Sequence, residues 1–300
     1  GKEIYDNSRI VQEYFEEASN CANINFVKLC FASSDAELAL ISNAYLALFL
    51  TTVSTAAAVK EIGFEMDIVA GYGVGEIAAI CATKGLSFPD GIYLLTKISQ
   101  FYSELISRLD LKSVLVVGLD LKELKKILED INTETSFAEI VGFNSDVEFI
   151  ITGHSQVVDQ IIIQAKKLRA KCINQSVDAG LYSKLAESIV PSVEMYLEKI
   201  DFKDTTCPVV FCSDAKLISE SKEIRKRIIK HVISPILWNK VLARFDDCDM
   251  LLIPTPGKDL MQKVQEYYPD KKVVLVATPQ DIENLKNIFN ENNQKPGGVD

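Results

Sequence analysis

Histidine and tryptophan are the scarcest side chains in these 300 residues, with two of the first and one of the second. His154 and His231 are too few and too far apart for a zinc constellation, which excludes the common metal-hydrolase chemistries and leaves no metal site to expect. The seven cysteines, at 21, 30, 81, 172, 207, 212 and 248, are odd in number and form no C-x-x-C pair. Several sit inside apolar runs, so buried thiols in a reducing compartment are the simple reading. An uninterrupted apolar run of about 18 residues, enough for a membrane span, is also missing. The longest candidate, 38–59, is broken by Ser42, Asn43, Thr51 and Thr52. Positive charge is in deficit, with 32 Lys and Arg against 42 Asp and Glu, a net −10 and a pI near 4.9. That balance argues against a nucleic-acid partner and against a polybasic membrane anchor. No signal or transit segment is visible. The expected location is the cytoplasm, or an organelle stroma after removal of a transit peptide.

What is present is a full globular complement: 48% apolar and 25% charged residues over a length that suits one large domain, or one domain with an insert. The chain is organised around 67–85, DIVAGYGVGEIAAICATKG. Residues 67–71 form a short β-branched run and read as a buried strand. Tyr72-Gly73-Val74-Gly75 is a tight turn, and 76–82 has helical composition with Glu76 in its first turn. Strand, glycine turn and helix make a nucleophile elbow, in which a central serine would stand at a helix N-terminus. Here the centre is Gly73, which has no side-chain atom to attack with.

An amphipathic helix is expected at 10–20 and further helices at 35–41 and 44–62, the last apolar on most faces and therefore central. Another runs from the Phe88-Pro89-Asp90 start to about Arg108. From Lys112 the period changes. Strand 113–119, helix 121–130, strands 138–143 and 147–152, helix 156–169 and strand 171–177 follow in turn. This β-α-β-β-α-β order is the split βαβ arrangement of a ferredoxin-like module. Helices at 183–200, 223–231, 235–245 and 257–267 then alternate with strands at 208–212, 250–253 and 273–277. The predicted class is α/β, an α/β-hydrolase-like large domain (1–111 and 178–289) with an inserted ferredoxin-like small domain (112–177). Residues 290–300 read as a frayed tail.

Several short motifs in order give this chain a resemblance to the malonyl-CoA:acyl-carrier-protein transacylase family, which includes the acyltransferase domains of fatty-acid and polyketide synthases. They are IVQEYFEEAS at 10–19, KLCF at 28–31, GYGVGE at 71–76 for the family's G-H-S-x-G-E, and LSF at 86–88. FNS at 143–145 with ITGH at 151–154, SPILW at 234–238 for N-P-V-x-W, and PGK at 256–258 complete the set. The resemblance implies ping-pong acyl transfer: a serine attacks the thioester, a histidine takes its proton, and backbone N–H groups hold the oxyanion. An arginine grips the malonyl carboxylate.

Carried over residue by residue, the serine position is Gly73 and the histidine before it is Tyr72. The arginine position is Ile98, the catalytic histidine is Tyr182, and the residue before the tryptophan is Leu237. The amide of Val74 remains as the oxyanion N–H. No catalytic residue is intact on this reading. The resemblance implies no cofactor, and acyl carrier protein or acyl-CoA as partner within a synthase system. Two functions follow. One is a catalytically inactive homologue that binds or scaffolds. The other is a divergent acyltransferase or acyl hydrolase using other residues on a non-carboxylated acyl thioester, which Ile98 would favour. Ser183, Tyr72, Tyr182 and Cys81 lie near these positions. Cys81 reads as a buried, inert thiol and Tyr182 as a poor base near neutral pH. His154 reads as structural and His231 as surface or helix-terminal. The basic runs Lys166-Lys167-Arg169-Lys171 and Arg225-Lys226-Arg227-Lys230 read as solvated helix faces, with reception of an acidic carrier as the alternative.

Overall fold

The computed structural model describes residues 1–175 and 179–294. The first part is helical: α1 (Lys2–Asn7), α2 (Arg9–Ala22), α3 (Phe26–Ala32), α4 (Asp35–Leu38) and α5 (Ile41–Glu61). Val11, Phe15 and Ala18 recur at helical spacing and turn one face of α2 inward. By contrast α5 is apolar nearly all round and buries Tyr45, Leu46, Phe49, Leu50 and Val53. Its mean hydropathy of 1.3 and its 21 residues would suffice by composition to cross a membrane, yet 56% of that window is buried within the fold. It packs on α2, on α6 (Gly75–Ala82) and on α7 (Phe88–Arg108), and is therefore a core helix. The Ser87 side chain caps α7 by accepting from the Asp90 N–H, and Pro89 sits in the first turn. Strand β1 (Val69–Ala70) leads into α6.

Next come β2 (Leu111–Val117), α8 (Leu121–Ile131), β3 (Ala138–Phe143), β4 (Glu148–His154), α9 (Ser155–Lys167) and β5 (Lys171–Gln175). They form an antiparallel sheet in the order β3-β4-β2-β5, the spatial order of a ferredoxin-like unit. One face carries Val114, Val116, Phe149 and Ile151, which pack with Leu124 of α8 and Val158 and Ile161 of α9 into a second hydrophobic cluster. A capping box between Asp120 and Glu123 starts α8. The expected strand over 171–177 is seen as far as Gln175, and its last two residues lie outside the described range.

The remainder comprises a 3₁₀ turn (Lys184–Ile189), α10 (Val190–Leu197), β6 (Val209–Val210), β7 (Leu217–Ile218), α11 (Ser221–Ile233) and α12 (Trp238–Leu242). After them come β8 (Met250–Ile253), α13 (Asp259–Tyr267), β9 (Lys272–Leu275) and α14 (Pro279–Gln294). Strand β1 pairs parallel with β6, β6 antiparallel with β7, and β8 parallel with β9. Two expectations are corrected. The helix over 235–245 begins only at Trp238, because the backbone of Ile236 is taken by β3: its N–H donates to the Val141 carbonyl and its carbonyl accepts from Phe143 N–H. The polar end expected to fray over 290–300 is helical to Gln294, and its last six residues lie outside the described range. Elements α1, α3, β7 and α14 had not been expected as such.

Candidate functional site

Strand β1 runs into the core and turns sharply at Gly71. A Cβ there would lie 2.0 Å from the carbonyl carbon and oxygen of Gly75, so the turn leaves no room for a side chain. Gly73, at the apex, has φ +54°, a left-handed conformation that side-chain-bearing residues adopt at a cost. The start of α6 is tight, with Gly75 N–H to Tyr72 O (3.0 Å), Glu76 N–H to Gly73 O (2.9 Å) and Ile77 N–H to Val74 O (3.2 Å). The strand–turn–helix predicted for 67–82 is present.

Tyr182 lies over the apex. A Cβ built on Gly73 would be 2.8 Å from the Tyr182 hydroxyl oxygen, 3.5 Å from Cζ and 3.6 Å from Ile236 Cδ1. Tyr182 itself has φ +58°, is buried, and is anchored by its N–H to the Val232 carbonyl (3.2 Å). Beneath it, Val74, Ile98, Tyr102 and His231 share a cavity of only about 20 Å³, room for roughly one water. Ile98 is buried in that lining and carries no charge. Tyr72 and Leu237 do not line it. The Tyr72 hydroxyl donates to Asn144 Oδ1 (2.9 Å), and its ring meets Trp238 edge-on at 5.2 Å. Asn144 donates in turn to Glu148 (2.8 Å), which also holds Lys263. The Leu237 N–H donates to the Cys212 carbonyl (2.9 Å). So the structure joins Gly73, Val74, Ile98 and Tyr182, and leaves Tyr72 and Leu237 at the edges.

His231 corrects an expectation. It does sit in the last turn of α11, but it is buried, with Nδ1 2.5 Å from Glu76 Oε2. Glu76 is 1% exposed, and its other oxygen accepts the Cys212 N–H at 2.6 Å. A carboxylate can be held this deep because it lies in the first turn of α6, where the helix dipole favours negative charge, and has partners on both oxygens. The His231 ring then packs edge-to-face on Tyr182, centroids 5.0 Å apart. Sequence had offered Glu76 only as a helix-start signal and missed the pair, because its members lie on helices far apart in the chain.

The remaining candidates lie outside the lining of that cavity. Ser183 donates to the Gly180 carbonyl (2.8 Å) and accepts from Leu185 N–H (3.2 Å), capping the 3₁₀ turn. Burial pushes the Cys81 thiol up to about 12 and holds Cys212 well above the ordinary thiol range. The Cys212 thiol donates to the Gly71 carbonyl at 3.0 Å, which ties β6 to the turn. His154 meets the Phe137 backbone through Nδ1. Of the second basic run, Arg227 pairs with Asp214 and Arg225 donates to the Leu197 carbonyl, so neither is free to receive a partner. Lys166, Lys167, Arg169 and Lys171 are exposed. Among the described residues, no group of three or more His, Cys, Asp or Glu is disposed to hold a metal ion.

No protein-family model matches the chain. It is 27% identical over 288 residues to the malonyl CoA-acyl carrier protein transacylase of Bacillus subtilis, covering 94% of this chain and 90% of that protein. The Staphylococcus aureus (strain MRSA252) protein of the same name is 22% identical over 294 residues, 97% and 94% of the two chains. Among solved structures, the transacylase of Coxiella burnetii superposes with a TM-score of 0.91 at 21% identity, over 95% of this chain and 92% of that one. A type II polyketide acyl-carrier protein in complex with its malonyl-transacylase, PlMCAT with AntF, gives 0.90 at 19% identity, over 96% and 94%.

Proposed function

Because the chain is a homologue of the malonyl CoA-acyl carrier protein transacylases, we propose that it is a non-catalytic member of that lineage which binds acyl carrier protein without transferring an acyl group. On this reading Gly73 occupies the serine position, Tyr182 the histidine position and Ile98 the arginine position, with Tyr72 and Leu237 as further departures. The observation that carries the proposal is the Tyr182 hydroxyl at 2.8 Å from where a Gly73 Cβ would lie. The space a nucleophile and a thioester carbonyl would share is filled by a phenol. The Val74 amide still belongs to the helix start, but the cavity beside it admits about one water and no acyl group. Loss of triad members typically costs on the order of 10⁴–10⁶ in rate, and the losses do not add. Acyl carrier protein is the partner favoured here, since the PlMCAT transacylase, of the same fold, is seen with its acyl-carrier protein. Incubation with radiolabelled malonyl-CoA or acetyl-CoA is expected to leave no acyl-enzyme. A stable, hydroxylamine-sensitive label on the protein overturns the proposal.

One observation favours the second reading, a divergent transferase or hydrolase acting on an uncharged acyl group. Glu76 and His231 form an orienting carboxylate–imidazole pair that packs on Tyr182 amid an apolar lining. If that pair serves as a base, turnover of acetyl-CoA falls at least a hundredfold in both Tyr182→Phe and His231→Gln. Absence of turnover in the unaltered protein removes this reading.

A further inference from the structure

Both faces of a β-sheet need an explanation, and the ferredoxin-like sheet supplies one for only part of its second face. Residues at alternate positions along β2, β4 and β5 point away from α8 and α9 and form rows across the strands. The row Thr152–Ser113–Gln175 is closed at its first two members: Ser113 and Thr152 are buried and joined hydroxyl to hydroxyl at 2.8 Å, and Thr152 also accepts the Gly180 N–H. The next row, Ile150–Leu115–Ile173, starts half-buried against the main core and ends in the open, with Ile173 38% exposed. The third, Glu148–Val117–Lys171, ends on an exposed lysine. Among the described residues β5 is an edge strand, paired only with β2. An apolar floor of Leu115, Val117 and Ile173 therefore widens toward that edge.

Charge is arranged around the same edge. The stretch 160–175 holds four cations, Lys166, Lys167, Arg169 and Lys171, and no carboxylate, within a chain whose net charge is −10. All four are exposed, and none has a carboxylate partner among the described ion pairs. Leu168, at the turn from α9 to β5, is 50% exposed among them. A lysine on an edge strand can serve simply to prevent edge-to-edge aggregation. That accounts for Lys171, but not for apolar side chains left open beside a cluster of one sign.

We infer that the β5 edge, with Lys171, Arg169 and Lys167 as rim and Leu115, Val117 and Ile173 as floor, is the docking surface for an acidic protein that presents an apolar contact. The inference rests on the proposed function and takes acyl carrier protein as that partner. Charge complementarity selects it over a second copy of this chain, which would bring a further −10 to the contact. Rim cations would set the association rate and its salt dependence, and the floor would set the lifetime.

The test uses the full 300-residue protein and the acyl carrier protein of Bacillus subtilis as probe, with calorimetry and size-exclusion chromatography. Lys171→Glu/Ile173→Asp changes two exposed side chains outside the elbow. It is expected to weaken binding at least tenfold, while Lys125→Glu/Lys126→Glu on α8 changes it less than threefold. Circular dichroism establishes that both variants fold, and Lys167→Glu alone, on an exposed helix position, gives a second reading of the rim. Binding that is equally strong in all variants overturns the surface and leaves the proposed partner standing. No binding by the unaltered protein overturns both the partner and the surface. A dimer of the unaltered protein that the β5 variant abolishes assigns the edge to a second copy and overturns the inference.

Discussion

The small sheet and the elbow are built by opposite means. In the sheet, strands of five to seven residues pair in long registers, two amphipathic helices cover one face, and the cluster between them is made of residues close in sequence. At the elbow, strands two residues long carry a turn at positive φ, and a carboxylate is held in the core by groups from two other segments. The sheet distributes its stability over many ordinary contacts, whereas the elbow concentrates it in a few contacts with no substitutes. The same contrast divides close contacts between acidic and basic side chains. Glu76–His231 is almost wholly buried, while Lys112–Asp159 in the small unit, also at 2.5 Å, has side chains 29% and 56% exposed.

The largest test of that contrast is Glu76→Ala. It strands the His231 imidazole and the Cys212 N–H in the core, and the expected loss is about 3–5 kcal/mol of unfolding free energy. Lys112→Ala, its counterpart, is expected to cost less than about 1 kcal/mol. Urea titrations of both measure the difference, and equal losses would end the distinction. Next is Gly73→Ala, for which the left-handed backbone and the 2.8 Å approach of the Tyr182 hydroxyl predict a loss of about 1–3 kcal/mol. Tyr182→Phe in the same chain removes the oxygen, so a double-mutant cycle should return a coupling of about 0.5 kcal/mol or more. A coupling of zero means the phenol does not occupy the apex. Within the sheet unit, Asp120→Ala deletes the capping box of α8 for about 1 kcal/mol, read by thermal melting.

The smallest effect is chemical. Cys21 is exposed and lightly desolvated, whereas Cys81 is raised to about 12 by burial. At pH 8, iodoacetamide should therefore label Cys21 and leave Cys81 untouched in the folded protein. Raising the pH speeds Cys21 first, because the thiolate is the reactive form and its fraction grows as pH approaches the pKa. Peptide mapping reads both sites, and equal labelling would mean that the core opens.

How far the sequence could be read follows the same division. Helices α2, α5, α7, α8 and α9 and strands β2 to β5 were legible because each is long enough to show its period, and caps such as Ser87 and Asp120 mark the starts. The elbow was legible from two glycines and Glu76, and from motif likeness. Strand β7 was not, since two residues show no period. Helix α14 is not legible because its polar composition outweighs the spacing of Ile282, Leu285 and Ile288 behind Pro279. The composition around Ile236 is compatible with helix, and only pairing with β3 draws its backbone away from one. The place of His231 at a helix end is legible, whereas its pairing with Glu76 is not, because Glu76 belongs to another helix. Pairwise tertiary contacts of this kind have no local signature.

The β3–Ile236 contact also bears on motion. Two main-chain hydrogen bonds stitch 141–143 to the segment that enters α12, next to the tyrosine-to-asparagine contact. The small unit is thus fastened to the body at several points, since Thr152 also holds Gly180 and Glu148 holds Lys263, and swinging it aside as a rigid flap would break these bonds together with the main-chain pair.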